Sequence, residues 1–327
     1  MRTTLGRLIL SGLAFAAALG ATAAGAQSYP TKRITVIVPF AGGSASDVVT
    51  RIMLDRMGKS MGQAFVIENR PGAGGNIGTA AAAKAAPDGY TLVGSGSGPL
   101  AANTTLYANL GYDPQKDFEV ISPFAVFPIV IVASAKLGVQ TLPELIARAK
   151  SNPTPLGYGT VGIGSSQHLS GEYFQQVTGV KLTHVPYRNI AQYGPDLIAG
   201  QVPLGFQWLP NILGAVNTGG ARPIAVADAK RLPALPNTPT TAEAGLPSYQ
   251  SSGWFALLAP KGTPKEIVAK LNQELAAAIA DPAVRDRFTQ QGAQPMAVSS
   301  ADGAKFIAAE AAKWRDVITK AGVQVIK

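Results

Sequence analysis

A chain of 327 residues that is 46% hydrophobic and only 14% charged, with 36 glycines and 24 prolines, is long enough for one large or two medium cores and too apolar to be disordered. The absence of cysteine excludes disulfides, thiol catalysis and thiolate metal sites. The net charge of +9 is spread along helical segments without interleaved aromatics, which argues against a nucleic-acid partner and leaves only a mild bias toward acidic ligands.

The first 26 residues read as a secretory signal peptide. Met1, Arg2 and Arg7 precede an apolar stretch over residues 8–19, and Ala24-Gly25-Ala26 offers a peptidase site before Gln27. A membrane anchor is the weaker reading, because the run is short and broken by Gly20. Removing Arg2 and Arg7 from the +9 leaves +7 on the exported chain. No later stretch reaches ~18 uninterrupted apolar residues, so the mature protein is expected to be soluble.

The rest of the chain opens on VIVPFAGGSASDV, residues 36–48. A buried strand runs into Pro39 and Phe40, a turn of Ala41, Gly42, Gly43, Ser44, Ala45 and Ser46 follows, and Asp47 heads a helix over 47–61 closed by Gly62. The first backbone N–H groups of such a helix attract anions. A strand at 64–68, a Gly/Pro loop at 69–76 holding Gly75 and Asn76, an Ala-rich helix at 77–86 and a strand at 90–94 give βαβ units with a parallel sheet. Residues 95–106, with Ser97, are small and polar, residues 107–110 close a short helix, and residues 118–127 show no clear period.

The β-rich run 129–133 marks the entry to a second domain. Thr141 and Glu144 form a capping-box pattern opening a helix at 143–150. A strand at 156–159, a second glycine–serine turn through Gly164, Ser165, Ser166 and His168, and a helix at 169–178 repeat the opening architecture about 120 residues later. Extended runs at 181–187, 202–208 and 222–227 alternate with helices at 192–199 and 213–218. Residues 232–247, with four prolines, read as a surface connection. A buried strand at 254–259 and helices to 280, 292 and 321 complete the chain, with Phe306, Ile307, Trp314 and Ile318 on one core-facing side.

Among catalytic constellations, a serine hydrolase would need His168 or His184 beside a serine in a sharp elbow, and Gly162-Ile163-Gly164-Ser165-Ser166 lacks the G-x-S-x-G spacing. Ser165 or Ser166 with His168 stays as the alternative from another class. His184, in an apolar strand, reads as core or hinge packing. No H-E-x-x-H occurs, and neither Gly72-x-Gly74 nor Gly94-x-Gly96 completes a dinucleotide fingerprint, so no metal or cofactor is expected. What remains is four glycine-bearing turns at strand ends, 42–47, 69–76, 95–103 and 162–168, at the edge where open α/β sheets bind ligands. Tight turns with glycine for backbone reasons would look the same.

VPFAGGSASD, ENRPGAGGNIG, KAAPDGYTL, LGYDPQKDF, HVPY, LPALPNTPTTAEAG and WFALLAPKGTP with the closing AKW resemble the Bug family, the extracytoplasmic solute-binding proteins of tripartite tricarboxylate transporters, in register from Tyr29 onward. The resemblance implies a periplasmic binding protein of type II, an α/β "Venus flytrap" of two Rossmann-like lobes joined by a hinge. Lobe 1 would take residues 27–127 plus 253–327 and lobe 2 residues 128–252. It implies no enzyme activity and a carboxylate held by main-chain groups at the two glycine-rich turns. The solute would pass to membrane permease subunits, and the protein would be a monomer, although a ligand-presenting role beside a sensor would look the same in sequence.

The departures bear on the ligand. Ala41 replaces the family's proline, Ser44-Ala45-Ser46 lengthens the spacer before Asp47, Arg188-Asn189 follows HVPY where a Lys and Gly are common, and Phe206-Gln207-Trp208 stands for a Phe-Asp-Asn string. Loss of that carboxylate disfavours amino-acid ligands, Arg188 can fork a carboxylate, and Phe40 and Trp208 offer aromatic faces, which together favour a dicarboxylate or a terephthalate-like aromatic acid. The candidate contacts are Phe40, Gly42, Gly43, Ser44, Ala45, Ser46, Asp47, Gly75, Asn76, Ser97, Gly164, Ser165, Ser166, His168, Arg188, Asn189, Gln207 and Trp208. One carboxylate is expected at each turn, with Asp47 acting on the helix end rather than on the anion.

Overall fold

The computed structural model describes residues 29–323, 325 and 326, so the expected signal peptide lies outside the described residues. The chain divides into a unit of residues 1–31 and a unit of residues 32–327, and the architecture below is that of the second. No helix among the described residues is long and apolar enough to cross a membrane.

Two sheets organise this unit. The first has the order β11-β4-β10-β3-β1-β2, with β1 Ile34–Val38, β2 Phe65–Asn69, β3 Thr91–Gly96, β4 Phe118–Pro128, β10 Ser252–Pro260 and β11 Gln294–Pro295. The second has the order β7-β6-β8-β5-β9, with β5 Val130–Ser134, β6 Leu156–Thr160, β7 Leu182–Pro186, β8 Leu204–Gln207 and β9 Ala221–Val226. The β1, β2 and β3 strands are parallel, as are β6, β7 and β8. The sheets are not parallel throughout, however. Strand β10 runs antiparallel to β3 and β4, and β5 runs antiparallel to β8 and β9. These are the strands by which the chain passes between the sheets, so each enters its new sheet against the direction of the βαβ strands.

The passage itself is hydrogen-bonded. Ile129, the single residue between β4 and β5, donates its N–H to Ser251 O, its carbonyl accepts from Ala227 N–H, and Ser251 N–H donates to Ala227 O, at 2.9, 2.8 and 3.1 Å. The strand β4 hides from a periodicity reading because Pro123 and Pro128 interrupt it and its register against β10 slips twice.

Four of the described helices open on a side-chain N-cap, at Thr141, Ser165, Asp281 and Ser299, and several close on a left-handed glycine. The first, α1 Ala45–Met61, ends on Gly62 in the left-handed region at φ 65°. Helices α2 Asn76–Ala83 and α3 Asn103–Leu106 follow. Tyr107 is extended, so the expected helix at 107–110 is displaced to α3, one turn earlier. In α4 Leu142–Ser151, Thr141 Oγ1 accepts from Glu144 N–H while Glu144 Oε2 accepts from Gln140 N–H, close to the expected capping box. Then come α5 Ser166–Thr178, α6 Tyr193–Ala199, α7 Leu209–Asn217, α8 Lys265–Ala280, α9 Pro282–Gln290 and α10 Ser300–Ala321. On α10, Ile307, Trp314 and Ile318 are buried in the core of the first sheet, and Phe306 packs partly buried against it.

The segment 232–247 is not simply a surface connection. Leu232, Leu235, Thr240 and Thr241 are buried, and Thr240 bridges to Val226. Apolar residues among its prolines had a core to cover. At the base, Trp208 packs on Phe127 and Phe255 with ring centroids 5.4 and 5.0 Å away, joining the two sheets through one aromatic cluster.

Candidate functional site

The first glycine turn leaves the C-terminal end of β1, which lies between β3 and β2. Its geometry is set by Asp47 on the first turn of α1. Asp47 Oδ2 accepts from Gly43 N–H at 2.9 Å, Asp47 Oδ1 accepts from Asn69 Nδ2 at 3.0 Å, and Arg51 bridges both oxygens at 2.8–2.9 Å. Burial pushes the Asp47 carboxyl up, but the Arg51, Gly43 and Asn69 hydrogen bonds outweigh that and hold it below the usual carboxylate range. The carboxylate is 3% exposed and is therefore committed to the turn. Its N-cap position belongs to Ser44, whose Oγ pairs with Ser46 Oγ at 2.9 Å.

The second turn leaves β6, between β7 and β8. Gly162 N–H donates to Thr160 Oγ1 at 3.0 Å, Ser165 Oγ donates to Gly162 O at 2.7 Å, and Ser165 Oγ accepts His168 N–H at 3.3 Å. Gly164 N–H donates to His168 Nδ1 at 3.3 Å. The His168 ring lies 4.4 Å from that of His184, whose Nε2 is 2.6 Å from Thr160 Oγ1. Burial depresses both histidines to about 4, His184 also through the neighbouring His168, so both are neutral near pH 7. His184 thus supports the turn rather than sitting in an inert core.

A hydrolase would need a serine hydrogen-bonded to a histidine. Ser165 Oγ is given to Gly162 O, Ser166 Oγ pairs with Ser97 Oγ at 2.6 Å, and His168 Nδ1 is taken by Gly164. No Ser–His pair of the kind a triad requires is formed by these residues.

The second turn meets the loops of the first sheet. A Cβ on Gly74 would overlap the Ile163 carbonyl oxygen, and one on Gly98 would come to 2.7 Å from Gly164 O. Tyr107 Oη donates to Ile163 O at 3.2 Å, and Ala45 N–H donates to Asn211 Oδ1 at 3.2 Å. The Ser97–Ser166 pair belongs to the same seam. The two sheets are therefore drawn together, with a cleft of about 630 Å³ left open beside the seam, within the range of small-molecule sites.

Of the sequence candidates, Phe40, Ser44, Gly75 and Arg188 line this cleft. Gly42, Gly43, Ala45, Ser46 and Asp47 of the first turn and Gly164, Ser165, Ser166 and His168 of the second do not line it, Gly42 and Gly43 being exposed to solvent and the others buried. Ser97 is in the seam, and Asn189 caps the turn at Ile190–Gln192. Asn76 Oδ1 accepts from Asn103 and Tyr112, and Gln207 is fully buried with its Nε2 on Gly159 O. Trp208 is 4% exposed in the aromatic base, because Gly253 leaves space for its ring, and offers no face to the cleft.

Sequence reasoning missed Ile77, Tyr107, Val161, Pro186, Tyr187 and Ile190 as lining residues, whereas Ala41, Pro71, Gly72, Ala73, Gly74, Gly162 and Ile163 lie in or beside turns it named without being singled out. Tyr187 Oη donates to Asp196 Oδ2 at 2.6 Å, which with burial raises its pKa. Arg188 is the one cation of the lining. It is exposed and makes no hydrogen bond or ion pair among the described residues. No group of three or more potential metal ligands occurs among the described residues.

The model of the tripartite tricarboxylate transporter family receptor matches residues 49–323. The chain belongs to that family. It is 36% identical to the protein BugT of Bordetella pertussis over 97% of this chain and 98% of that protein. A structure of Rpa4515 from R. palustris with adipate is 39% identical at TM-score 0.87, covering 90% of this chain and 98% of that one. MatC from Rhodopseudomonas palustris with bound malate is 33% identical at TM-score 0.83, covering 89% and 100%. The family and the fold make this a two-lobed periplasmic solute-binding protein of a tripartite transporter, and not an enzyme.

Proposed function

We propose that this protein captures a small organic carboxylate in the cleft between its two sheets and delivers it to the permease subunits of its transporter. The signal peptide exports it to the periplasm, where it works as a monomer. Lobe 1 comprises residues 27–127 plus 253–327, lobe 2 comprises residues 128–252, and the crossing at Ile129, Ala227 and Ser251 serves as the hinge. The observation that carries this reading is Arg188, an unpaired guanidinium on a mostly apolar cleft, since a planar fork of donors suits a carboxylate. Adipate and malate in the structures of relatives support the same class.

The favoured ligand is a dicarboxylate or an aromatic acid of the terephthalate type. Phe40, Ser44, Gly75 and Arg188 make the contacts, and the other turn residues hold these in place. A ligand touching both lobes binds the closed arrangement better, and that difference is what shifts the population on binding. Mass spectrometry of solute released from the purified protein, followed by calorimetry with a carboxylate panel, tests the reading. Carboxylates should bind with one-to-one stoichiometry, and Arg188→Gln should weaken them by roughly tenfold or more. Binding of an amine or a sugar with no response to any carboxylate would overturn it.

A further inference from the structure

Tyr107 lines the cleft from the side of the first sheet, and its hydroxyl crosses to the other side. Tyr107 Oη donates to Ile163 O in the second turn at 3.2 Å. The same carbonyl leaves no room for a Cβ on Gly74, and four residues before Tyr107 the amide of Asn103 fits against Gly164, where a Cβ would overlap it. The segment 103–107 therefore docks on two consecutive residues of the second turn. Burial raises the Tyr107 pKa, so near pH 7 the phenol keeps the proton it donates. The backbone that carries this ring is held from behind. Tyr107 is extended after α3, with its N–H still bonded to Asn103 O at 3.1 Å. It pairs with Ile326 in an isolated parallel bridge, in which Ile326 N–H donates to Leu106 O at 2.7 Å and Ala108 N–H donates to Ile326 O at 2.9 Å. The peptide groups on both sides of Tyr107 are thus fixed without a regular strand.

Resting on the carboxylate reading above, we infer that Tyr107 couples solute capture to closure of the cleft, and that Ile326 is the positioning residue that keeps its hydroxyl on the Ile163 carbonyl. One side chain bounds the space for the solute and bonds to the opposite sheet. In an open arrangement Tyr107 Oη exchanges Ile163 O for water, so this bond adds its net worth to the closed state alone. Because its acceptor is a main-chain carbonyl, the bond asks nothing of the solute's chemistry. It changes how tightly every acid is held and leaves the choice among acids to Arg188 and the rest of the lining.

The test measures adipate and terephthalate binding by calorimetry on the full mature chain at neutral pH. Closure is read from the distance between spin labels on Lys84→Cys and Lys150→Cys, two exposed positions after α2 and on α4, in a chain with no cysteine of its own. Tyr107→Phe keeps the ring and should weaken every acid that the wild type binds by one common factor, roughly fivefold, the worth of one hydrogen bond. Ile326→Pro, which removes the N–H given to Leu106, should weaken them by a smaller factor. In the double variant the two losses should not multiply, because Ile326 acts only through the tyrosine hydroxyl. Unchanged affinities in Tyr107→Phe overturn the inference, and so does a change in the ratio of the two acids, which would make Tyr107 a solute contact only. Losses that multiply in the double variant remove Ile326 as the positioning residue. Failure of both acids to bind the wild type overturns the carboxylate reading instead, and the coupling role then stands only if Tyr107→Phe shifts the label distances of the solute-free chain.

Discussion

The two glycine turns share one plan, a strand from the middle of a parallel group, glycines in the left-handed region and a serine before a helix, but different groups close them. At the first, the group folded back on the turn is an ionised carboxylate tied to Arg51 and Asn69. At the second it is a neutral imidazole, His168, tilted at 47° against another. Repetition of the backbone therefore does not repeat the electrostatics. The first turn is negatively charged and pinned from both sides, whereas the second is uncharged and depends on histidine staying unprotonated.

The largest expected effect comes from preventing the second turn from meeting the 69–76 loop of the first sheet. Gly74→Ala places a Cβ on the Ile163 carbonyl, and should weaken carboxylate binding on the order of a hundredfold by removing the closed state. Gly111→Ala is its control, because Gly111 has a similar positive φ of 76° and open space around it. Equal losses in the two variants, measured by calorimetry, would mean that backbone strain rather than the meeting of turn and loop is responsible.

Acid separates the turns next. His168 sits at about 4 in the folded chain against 6.5 in the unfolded one, so between these values the unfolded state binds more protons and stability falls as pH falls. The loss should approach about 3 kcal/mol by pH 4 in denaturant titrations. Asp47 works in the same sense but in a lower window. Its folded value lies below the unfolded one, so its contribution is intact above the ordinary carboxylate range and is lost as pH falls through and below it. His168→Asn should lower the slope between pH 6.5 and 4 and leave the share of His184, which burial also holds at about 4. A slope that persists with both histidines replaced by Asn would shift the acid sensitivity away from the second turn.

Much of this contrast was legible in sequence. VIVPFAGGSASD and LGYGTVGIGSSQH announce two strand–turn–helix units, and Asp47 could be assigned to the scaffold because its position favours the helix end over an anion. Trp208 was misread because an aromatic beside a candidate turn looks like a ligand face, and only the space left by Gly253, 45 positions away, turns it into the base of the molecule. Asn211 was invisible because the helix was expected to begin at 213, whereas α7 begins at Leu209 and projects that side chain across to Ala45. Strand direction in β5 and β10 was likewise beyond a local pattern, since it depends on where the chain changes sheet.

Smaller effects sharpen the same comparison. Asp47→Asn keeps the shape and removes the charge, and because Arg51 is half exposed to solvent, screening should limit the cost to about 1–2 kcal/mol at neutral pH. The two serines should then differ by less again. Ser165 Oγ accepts the His168 N–H and donates to Gly162 O, so Ser165→Ala removes a true N-cap along with a turn bond and should cost about 1–2 kcal/mol. Ser44 occupies the matching position but makes no cap bond, only a hydroxyl pair with Ser46, so Ser44→Ala should cost about 0.5–1 kcal/mol. Denaturation midpoints of the two variants decide the matter. If Ser44→Ala cost as much as Ser165→Ala, Ser44 would be capping α1, and the first turn would owe less of its shape to Asp47 than its hydrogen bonds indicate.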